Sequence, residues 1–431
     1  MNTLQTSSTI CAIATSAGGA IGVVRVSGPN AIAATDSIFS GRKLLSQVAP
    51  YSIVYGEIYD SETVLDQVLV SVFKAPHSYT GEDSVEISCH GSQYILNRLL
   101  ELLVSQGCEM ASPGEYTMRA FANGKLDLSQ AEAVADLIAA DSKASHQLAI
   151  NQLRGGISKR LASLRNQLVE LSSLLELELD FSEEDVEFAD REKLSNLSKT
   201  IQTELFTLIS SFSAGNAIKN GIPVAIIGAP NVGKSTLLNA LLQEDRAIVS
   251  DIQGTTRDVI EDTITLGGTL FRFIDTAGIR QTDDKIEQLG IERSLQTISR
   301  AQIILLITEP GIPYPKIETR PDQTIIHILN KSEDFQAING KGLPWLEQEL
   351  MKAIPPTDNS TVLITNQRHK QALERAHKTI SRVIDSINTH VTADLIVEDL
   401  RQCIYHLSEI VGDVTSADIL SSIFSKFCIG K

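Results

Sequence analysis

The chain has 431 residues, 42% of them apolar, and a formal net charge of −16. That length calls for about two to four domains, and the negative balance excludes a broad surface that coats nucleic acid. The five cysteines, Cys11, Cys89, Cys108, Cys403 and Cys428, are odd in number and include no CxxC pair. They therefore exclude a disulfide or zinc framework and fit a reduced, cytoplasmic protein.

No charged side chain precedes Arg25. The apolar stretch 10–24 has no basic flank and is broken by Ser, Thr and Gly, so it does not read as a signal peptide. No other run approaches the ~20 apolar residues of a membrane span, so no membrane contact is expected. Up to residue 122, β-like runs at 21–26, 68–73 and 84–88 mix with helical patterns such as 92–106, whose Ile95, Leu99, Leu102 and Leu103 share a face. This predicts an N-terminal α+β domain over 1–122. From Ser129 the pattern turns helical, at 131–140, 142–153, 157–179 and 193–211, giving the first part of a helical domain over 123–220. Residues 176–190 carry eight acidic side chains, which read as a solvated helix end and turn rather than a metal site.

The segment 221–365 has a different character. An apolar run, Val224 to Ile227, leads into Gly228-Ala229-Pro230-Asn231-Val232-Gly233-Lys234-Ser235-Thr236 and then an amphipathic helix. Strand, Gly-rich turn and helix N-terminus are the context a phosphate-binding loop requires. Gly228 and Gly233 admit phosphate oxygens to the backbone, Lys234 reaches the β- and γ-phosphates, and the Ser235 hydroxyl suits Mg²⁺. Asp275-Thr276-Ala277-Gly278 follows a second apolar run; there the Asp suits Mg²⁺ through water and the Gly278 N–H suits the γ-phosphate. Between them Gly254-Thr255-Thr256-Arg257-Asp258 is placed as a switch loop carrying Thr256 to Mg²⁺. A later apolar run ends in Asn330-Lys331-Ser332-Glu333, where guanine-binding domains have Asn-Lys-x-Asp. The order is that of a P-loop GTPase binding GTP and GDP, with a base-reading element changed at Glu333. The Ser-Ala loop expected to back the base is missing, since residues 337–342 follow too soon and without a Ser.

From 366 to 431 helical patterns return, at 369–387 and 392–411. The predicted architecture is therefore multidomain α/β and α+β, with a P-loop domain of mostly parallel sheet inserted into the helical domain. Arg368, His369, Lys370, Arg375, Lys378 and Arg382 fall on one helical segment, either a nucleic-acid contact or a solvated helix face.

Several blocks together resemble one family over nearly the whole chain, the MnmE (TrmE) family of tRNA-modification GTPases. They are Ala14-Thr15 through Gly18 to Gly28, Tyr79 to Glu86 with His90-Gly91, Pro113 to Leu128, and the closing Phe427-Cys428-Ile429-Gly430-Lys431. Ser92 and Ser16-Ala17 depart from the family pattern without touching the residues named below. The resemblance implies a homodimer formed through the N-terminal domain. It implies binding of 5-formyl-tetrahydrofolate or a related one-carbon folate, with contacts at Arg25, Glu86, Lys125 and Lys431. It also implies an FAD-dependent partner, MnmG (GidA), in a heterotetramer. Together the two add a carboxymethylaminomethyl or aminomethyl group to carbon 5 of the wobble uridine of certain tRNAs. Cys428 is either a small buried hydrophobe or, as the family suggests, a thiol active beside the folate.

Small GTPases place a water-orienting Gln after the Asp-Thr-Ala-Gly block; this chain has Ile279. By resemblance Glu287 positions the attacking water. Asn231 marks the family's K⁺ site, with Ser250, Ile252 and Thr255 supplying further ligands, and the cation offsets charge between the β- and γ-phosphates. The alternative is a ribosome-assembly or signalling GTPase that only binds RNA. It would share the nucleotide motifs but lack the Arg25 block and the Cys428 terminus.

Overall fold

Alternate residues of the N-terminal strands face opposite sides of one sheet, and the two sides have different fates. The structure is a computed structural model describing residues 8–180, 191–243, 262–274, 296–354, 362–389, 391–425 and 427–430. Its first elements are β1 (Ile10–Ile13), β2 (Ile21–Ser27), α1 (Ala31–Asp36), β3 (Phe39–Gly41), β4 (Ser52–Asp60), β5 (Thr63–Phe73), β6 (Ser84–His90), α2 (Gln93–Ser105), β7 (Glu109–Met110) and α3 (Glu115–Ala122). The strands form a sheet of order β3-β4-β5-β6-β2-β1-β7, antiparallel except where β1 meets β7. Val24, Val26, Val70, Val72, Val85 and Ile87 are fully buried on one face, against Leu96, Leu99 and Leu103 of α2. The other face carries Ala12, Arg25, Glu86, Ser71 and Ile53 as successive cross-strand partners. Strand pairing thus puts Arg25 beside Glu86, although they are 61 positions apart. The sequence pattern did not single out β4, and the reason is visible. Its apolar Ile53 and Tyr55 are 68% and 61% exposed while Val54 and Ile58 pack into the core, so apolar residues stand on both faces and no alternation marks the strand.

The helices α4 (Leu128–Ile138), α5 (Lys143–Leu153), α6 (Gly156–Asp180), α7 (Arg191–Ser210) and α8 (Phe212–Asn220) follow. Gly221, at φ +86°, ends α8 and turns the chain straight into β8 (Ile222–Ile227). Then come α9 (Lys234–Gln243), β9 (Asp262–Leu266), β10 (Thr269–Phe273), β11 (Ile303–Thr308), β12 (Thr324–Leu329) and α10 (Leu343–Lys352). The sheet order is β12-β11-β8-β10-β9, and every neighbouring pair is parallel except β10 with β9. All six residues of β11 are buried, as a central parallel strand requires.

The chain leaves this α/β layer through residues 362–366. It enters α11 (Gln367–Asn388), N-capped by the Asn366 side chain, which accepts from the Arg368 N–H. Ala372, Leu373, Ala376, Ile380, Val383 and Ile387 form the buried stripe of α11, which packs along α7. A helical layer, an N-terminal α+β layer and an inserted mostly parallel α/β layer are therefore all present. After α12 (Ala393–Val411), α13 (Ala417–Phe424) brings Leu420, Phe424 and Phe427 onto Leu128 and Ala131. By internal packing the chain forms two compact units, Met1–Ala135 with Ser408–Lys431, and Asp136–Leu407.

Candidate functional site

The loop after β8 lies at the carboxyl ends of the parallel strands, where open α/β sheets bind ligands. Its backbone is shaped by close approach. Gly233 has φ +98°, and a Cβ there would come within 2.3 Å of Asn330 Nδ2. Asn231 also takes a left-handed backbone, at φ +63°. Lys234 opens α9 and folds back over the loop, its Nζ donating to the Gly228 and Ala229 carbonyls at 2.9 and 2.8 Å. Burial holds this ammonium below the usual lysine range, so an anion brought beside it would gain more than it would in water. Ser235 follows on the first turn of α9; Thr236 and the Asn231 side chain are exposed.

The segment after β12, expected from the sequence to read the base, is joined to this loop through Asn330 and Lys331. Asn330, after β12, is buried; its Nδ2 donates to the Val232 carbonyl at 2.8 Å and its Oδ1 accepts from the Ala337 N–H at 3.0 Å. Lys331, at φ +58°, donates from Nζ to the Asn231 carbonyl at 3.0 Å and pairs with Glu309. Residues 336–339 fold against Asn330 and present the Ala337 backbone to it, with Gln336 standing where a Ser was expected. The short connection suffices because the 3-10 turn Ala337–Asn339 follows β12 without a further strand. Glu333 is exposed at its rim. Ser250, Ile252, Thr255, Thr256, Asp275, Thr276, Ala277, Gly278 and Glu287 lie outside the described residues, and so does Lys431.

The second cluster lies on the N-terminal sheet. Arg25 donates from Nε and Nη2 to one oxygen of Glu86, at 2.9 and 2.7 Å, and from Nη1 to the Gly430 carbonyl at 3.2 Å. The chain's C-terminal segment therefore returns to the N-terminal sheet of the same chain. Gly430 allows this: it has φ +92°, and a Cβ would stand 2.5 Å from the Ile13 carbonyl oxygen. The Gly114 N–H donates to the Cys428 carbonyl at 3.4 Å. The guanidinium also lies against two aromatic rings, 5.9 Å from the Tyr79 centroid and 5.5 Å from that of Tyr116. Tyr116 donates to the Arg25 carbonyl at 2.8 Å. Both tyrosines fall inside the sequence blocks that carry the resemblance, and alternation on β2 is the signal that Arg25 needs neighbours on that face. Lys125 donates instead to the Pro76 carbonyl at 2.8 Å.

Of the two readings of Cys428, the buried one fails, because the residue is exposed while the other four cysteines are buried. Burial pushes the Cys89 thiol up to about 11, which marks it as inert. The basic row on α11 is also not a free cationic face. His369 is fully buried, and Arg382 is tied to Asp399 and Gln402 at 2.7 and 2.6 Å. Among the described residues no group of three or more His, Cys, Asp or Glu could hold a metal ion. Nor does any described helix have the length and apolarity to cross a membrane.

Comparison with known proteins agrees with this arrangement. Residues 128–428 match the family model described as MnmE helical domain, and residues 9–125 match GTP-binding protein TrmE N-terminus. A tRNA modification GTPase MnmE of Bacteroides thetaiotaomicron is 51% identical, covering 98% of this chain and 99% of its own. The protein of that description from Christiangramia forsetii is 44% identical over 99% of this chain and 100% of its own. This chain belongs to the MnmE (TrmE) family of tRNA modification GTPases.

Proposed function

We propose that this protein is a K⁺-dependent GTP hydrolase that works with an FAD-dependent partner of the MnmG (GidA) type. In this reading the pair adds a carboxymethylaminomethyl or aminomethyl group to carbon 5 of wobble uridine in certain tRNAs. The observation that carries the nucleotide half is the Lys234 ammonium, desolvated and folded over the Gly228–Ala229 carbonyls at the mouth of a glycine-shaped loop. Those donors and that shape fit a polyphosphate. Ser235, with Thr256, would hold Mg²⁺, which supplies charge neutralisation at the β- and γ-phosphates. Asn231, an exposed residue on a left-handed backbone in the same loop as Lys234, would hold K⁺ with Ser250, Ile252 and Thr255. Glu287 would orient the attacking water, since Ile279 has no group able to do so. Asn330, Lys331 and Glu333 would face guanine.

The N-terminal half rests on the Arg25–Glu86–Gly430 junction. Glu86 uses one oxygen on Arg25, and a carboxylate with adjoining guanidinium N–H groups suits the donor–acceptor edge of a reduced pterin. Lys125 and Lys431 would supply cations for the glutamate tail of a formyl-tetrahydrofolate, and Cys428 an accessible thiol. Homodimerisation through the N-terminal domain and a cytoplasmic location belong to the same proposal, as does the division into domains at 1–122, 123–220, 221–365 and 366–431.

The reading is tested in two assays. GTP hydrolysis at saturating nucleotide is expected to be much faster in K⁺ than in Na⁺, and equal rates would remove the K⁺ site. Mass spectrometry of wobble-uridine nucleosides from a deletion strain is expected to show loss of the modified base; an unchanged nucleoside profile would remove the tRNA chemistry.

A further inference from the structure

We infer that the hairpin β9–β10 carries the state of the nucleotide site to the helical layer by acting on the first turn of α5. The inference rests on the GTPase reading above and names its regulation. The hairpin has a singular place in the chain. It follows the segment with Thr255 and Thr256 and runs, through Ile274, into Asp275. It is therefore the covalent bridge between the two stretches assigned to the metal ions and the γ-phosphate, and β10 pairs directly with β8, the strand that feeds the phosphate loop.

The tip of the hairpin is a tight turn at Gly267 and Gly268, with φ of +56° and +83°. The Gly268 carbonyl accepts from the Ala144 N–H at 3.1 Å. Ala144 is the second residue of α5, and the first N–H groups of a helix have no partner within it. Ser142 serves one of them, its Oγ accepting from the Ser145 N–H at 3.1 Å. The hairpin serves the next, with the helix dipole favouring a carbonyl oxygen at that end. On its other side Gly267 lies against Met351 of α10, where a Cβ would meet the Met351 Cε at 2.5 Å.

What receives the contact is a rod with a second attachment. The 11 residues of α5 span about 16 Å. Near its far end the buried Gln152 Oε1 accepts from Thr365 Oγ1 at 3.3 Å, at the strand of chain leaving the α/β layer. One residue earlier the Ile364 N–H donates to Ser211 Oγ at 3.1 Å. The helix thus touches the α/β layer at the hairpin tip and at the exit connection. A displacement of the first relative to the second tilts it. Space for that motion exists, because a cavity of about 420 Å³ lies between Ala140–Lys143, His146 and Thr263, Thr265 and Leu270.

Hydrogen exchange on the full-length protein tests the link, comparing GDP with a non-hydrolysable GTP analogue, both with Mg²⁺ and K⁺. Peptides covering 142–148 are expected to change exchange rate by about fivefold between the two states, the scale of one net hydrogen bond. Equal rates in both states overturn the inference. Titration of a fluorescent GDP separates the two possible failures. Absent binding sinks the GTPase reading itself, whereas bound nucleotide with an unchanged α5 sinks only the hairpin link. Ala144→Pro removes the donor at a position in the first helical turn, where proline is tolerated. It is expected to bind GDP as the wild type does while the difference over 145–148 falls below about twofold, since the lost contact is the one bond in question. Persistence of the full difference in that variant overturns the inference as well.

Discussion

The phosphate loop and the Arg25 cluster differ in which atoms do the holding. In the loop the binding surface is main chain from one short run, Gly228 to Ser235, and glycines at 228 and 233 clear the space. Among the described residues, side chains reach it from Lys234 within the run and from Asn330 and Lys331 after β12. In the cluster the interacting groups are side chains from β2 and β6, flanked by rings from residues 79 and 116 and closed by the chain's C-terminal segment. A site made of contiguous backbone tolerates loss of its one cation as a structure but not as a catalyst. A site made of remote side chains depends on its least obvious member. Substitutions can separate these two kinds of dependence.

The largest effect is expected at Lys234. Lys234→Ala should lower kcat for GTP by about 10²–10³-fold, the cost of losing one charge-stabilising donor. The loop, held through Asn330 and the Val232 carbonyl, should keep its shape, so thermal stability should not fall. A large drop in melting temperature would show that the lysine holds the loop together and that the contrast is misdrawn.

A smaller effect is expected at Gly430. Gly430→Ala forces a side chain onto φ +92° and against the Ile13 carbonyl. The strain, ~1–2 kcal/mol for a left-handed backbone, should detach the tail segment rather than unfold the sheet, whose core lies on the opposite face. Calorimetry with formyl-tetrahydrofolate should show roughly tenfold weaker binding, the equivalent of that energy, with GTP hydrolysis unchanged. Unaltered folate affinity would disconnect the Gly430 carbonyl from the site.

The same contrast governs what could be read from the sequence. The phosphate loop was legible because strand, turn and helix are adjacent in the chain and each has its own local signal. The inserted parallel sheet was legible for the same reason: Val224–Ile227 and Ile303–Thr308 are continuous apolar runs, as strands buried on both faces must be. The Arg25–Glu86 pair was named only through resemblance. No periodicity reveals which residue of a distant strand stands opposite, and register is fixed by tertiary pairing. Strand β4 was missed because apolar residues occupy both of its faces, with Ile53 and Tyr55 exposed and Ile58 buried, which leaves no alternation to read. The backing of Asn330 by Ala337 was missed because the contact uses a backbone N–H, which any residue supplies, and the Ser that normally signals it is replaced by Gln336.

The smallest effect comes from an ion pair resembling the Arg25–Glu86 pair but lying in water. Arg98 of α2 donates from Nε and Nη2 to both oxygens of Asp60 at the end of β4, at 2.6 and 2.8 Å. Its side chain is 37% exposed, so the pair is screened and contributes little. The hydrogen bonds from Arg98, more than its charge, hold the Asp60 carboxyl below the ordinary aspartate range. A carboxyl whose folded value is depressed adds stability above its unfolded value, near ~3.9, and that stability is lost as pH falls through the folded value. Arg98→Ala should therefore lower the melting temperature slightly at neutral pH and low salt. The gap to wild type should narrow as pH falls below the unfolded value and through the folded one, where the aspartate is protonated even beside its partner, and should shrink with added salt. Differential scanning calorimetry across that range decides the matter. A gap that survives both acid and salt would mean that the Arg98 stem acts by packing α2 against the β4–β5 turn. Exposed and half-buried arginine pairs in this sheet would then differ in kind as well as in degree.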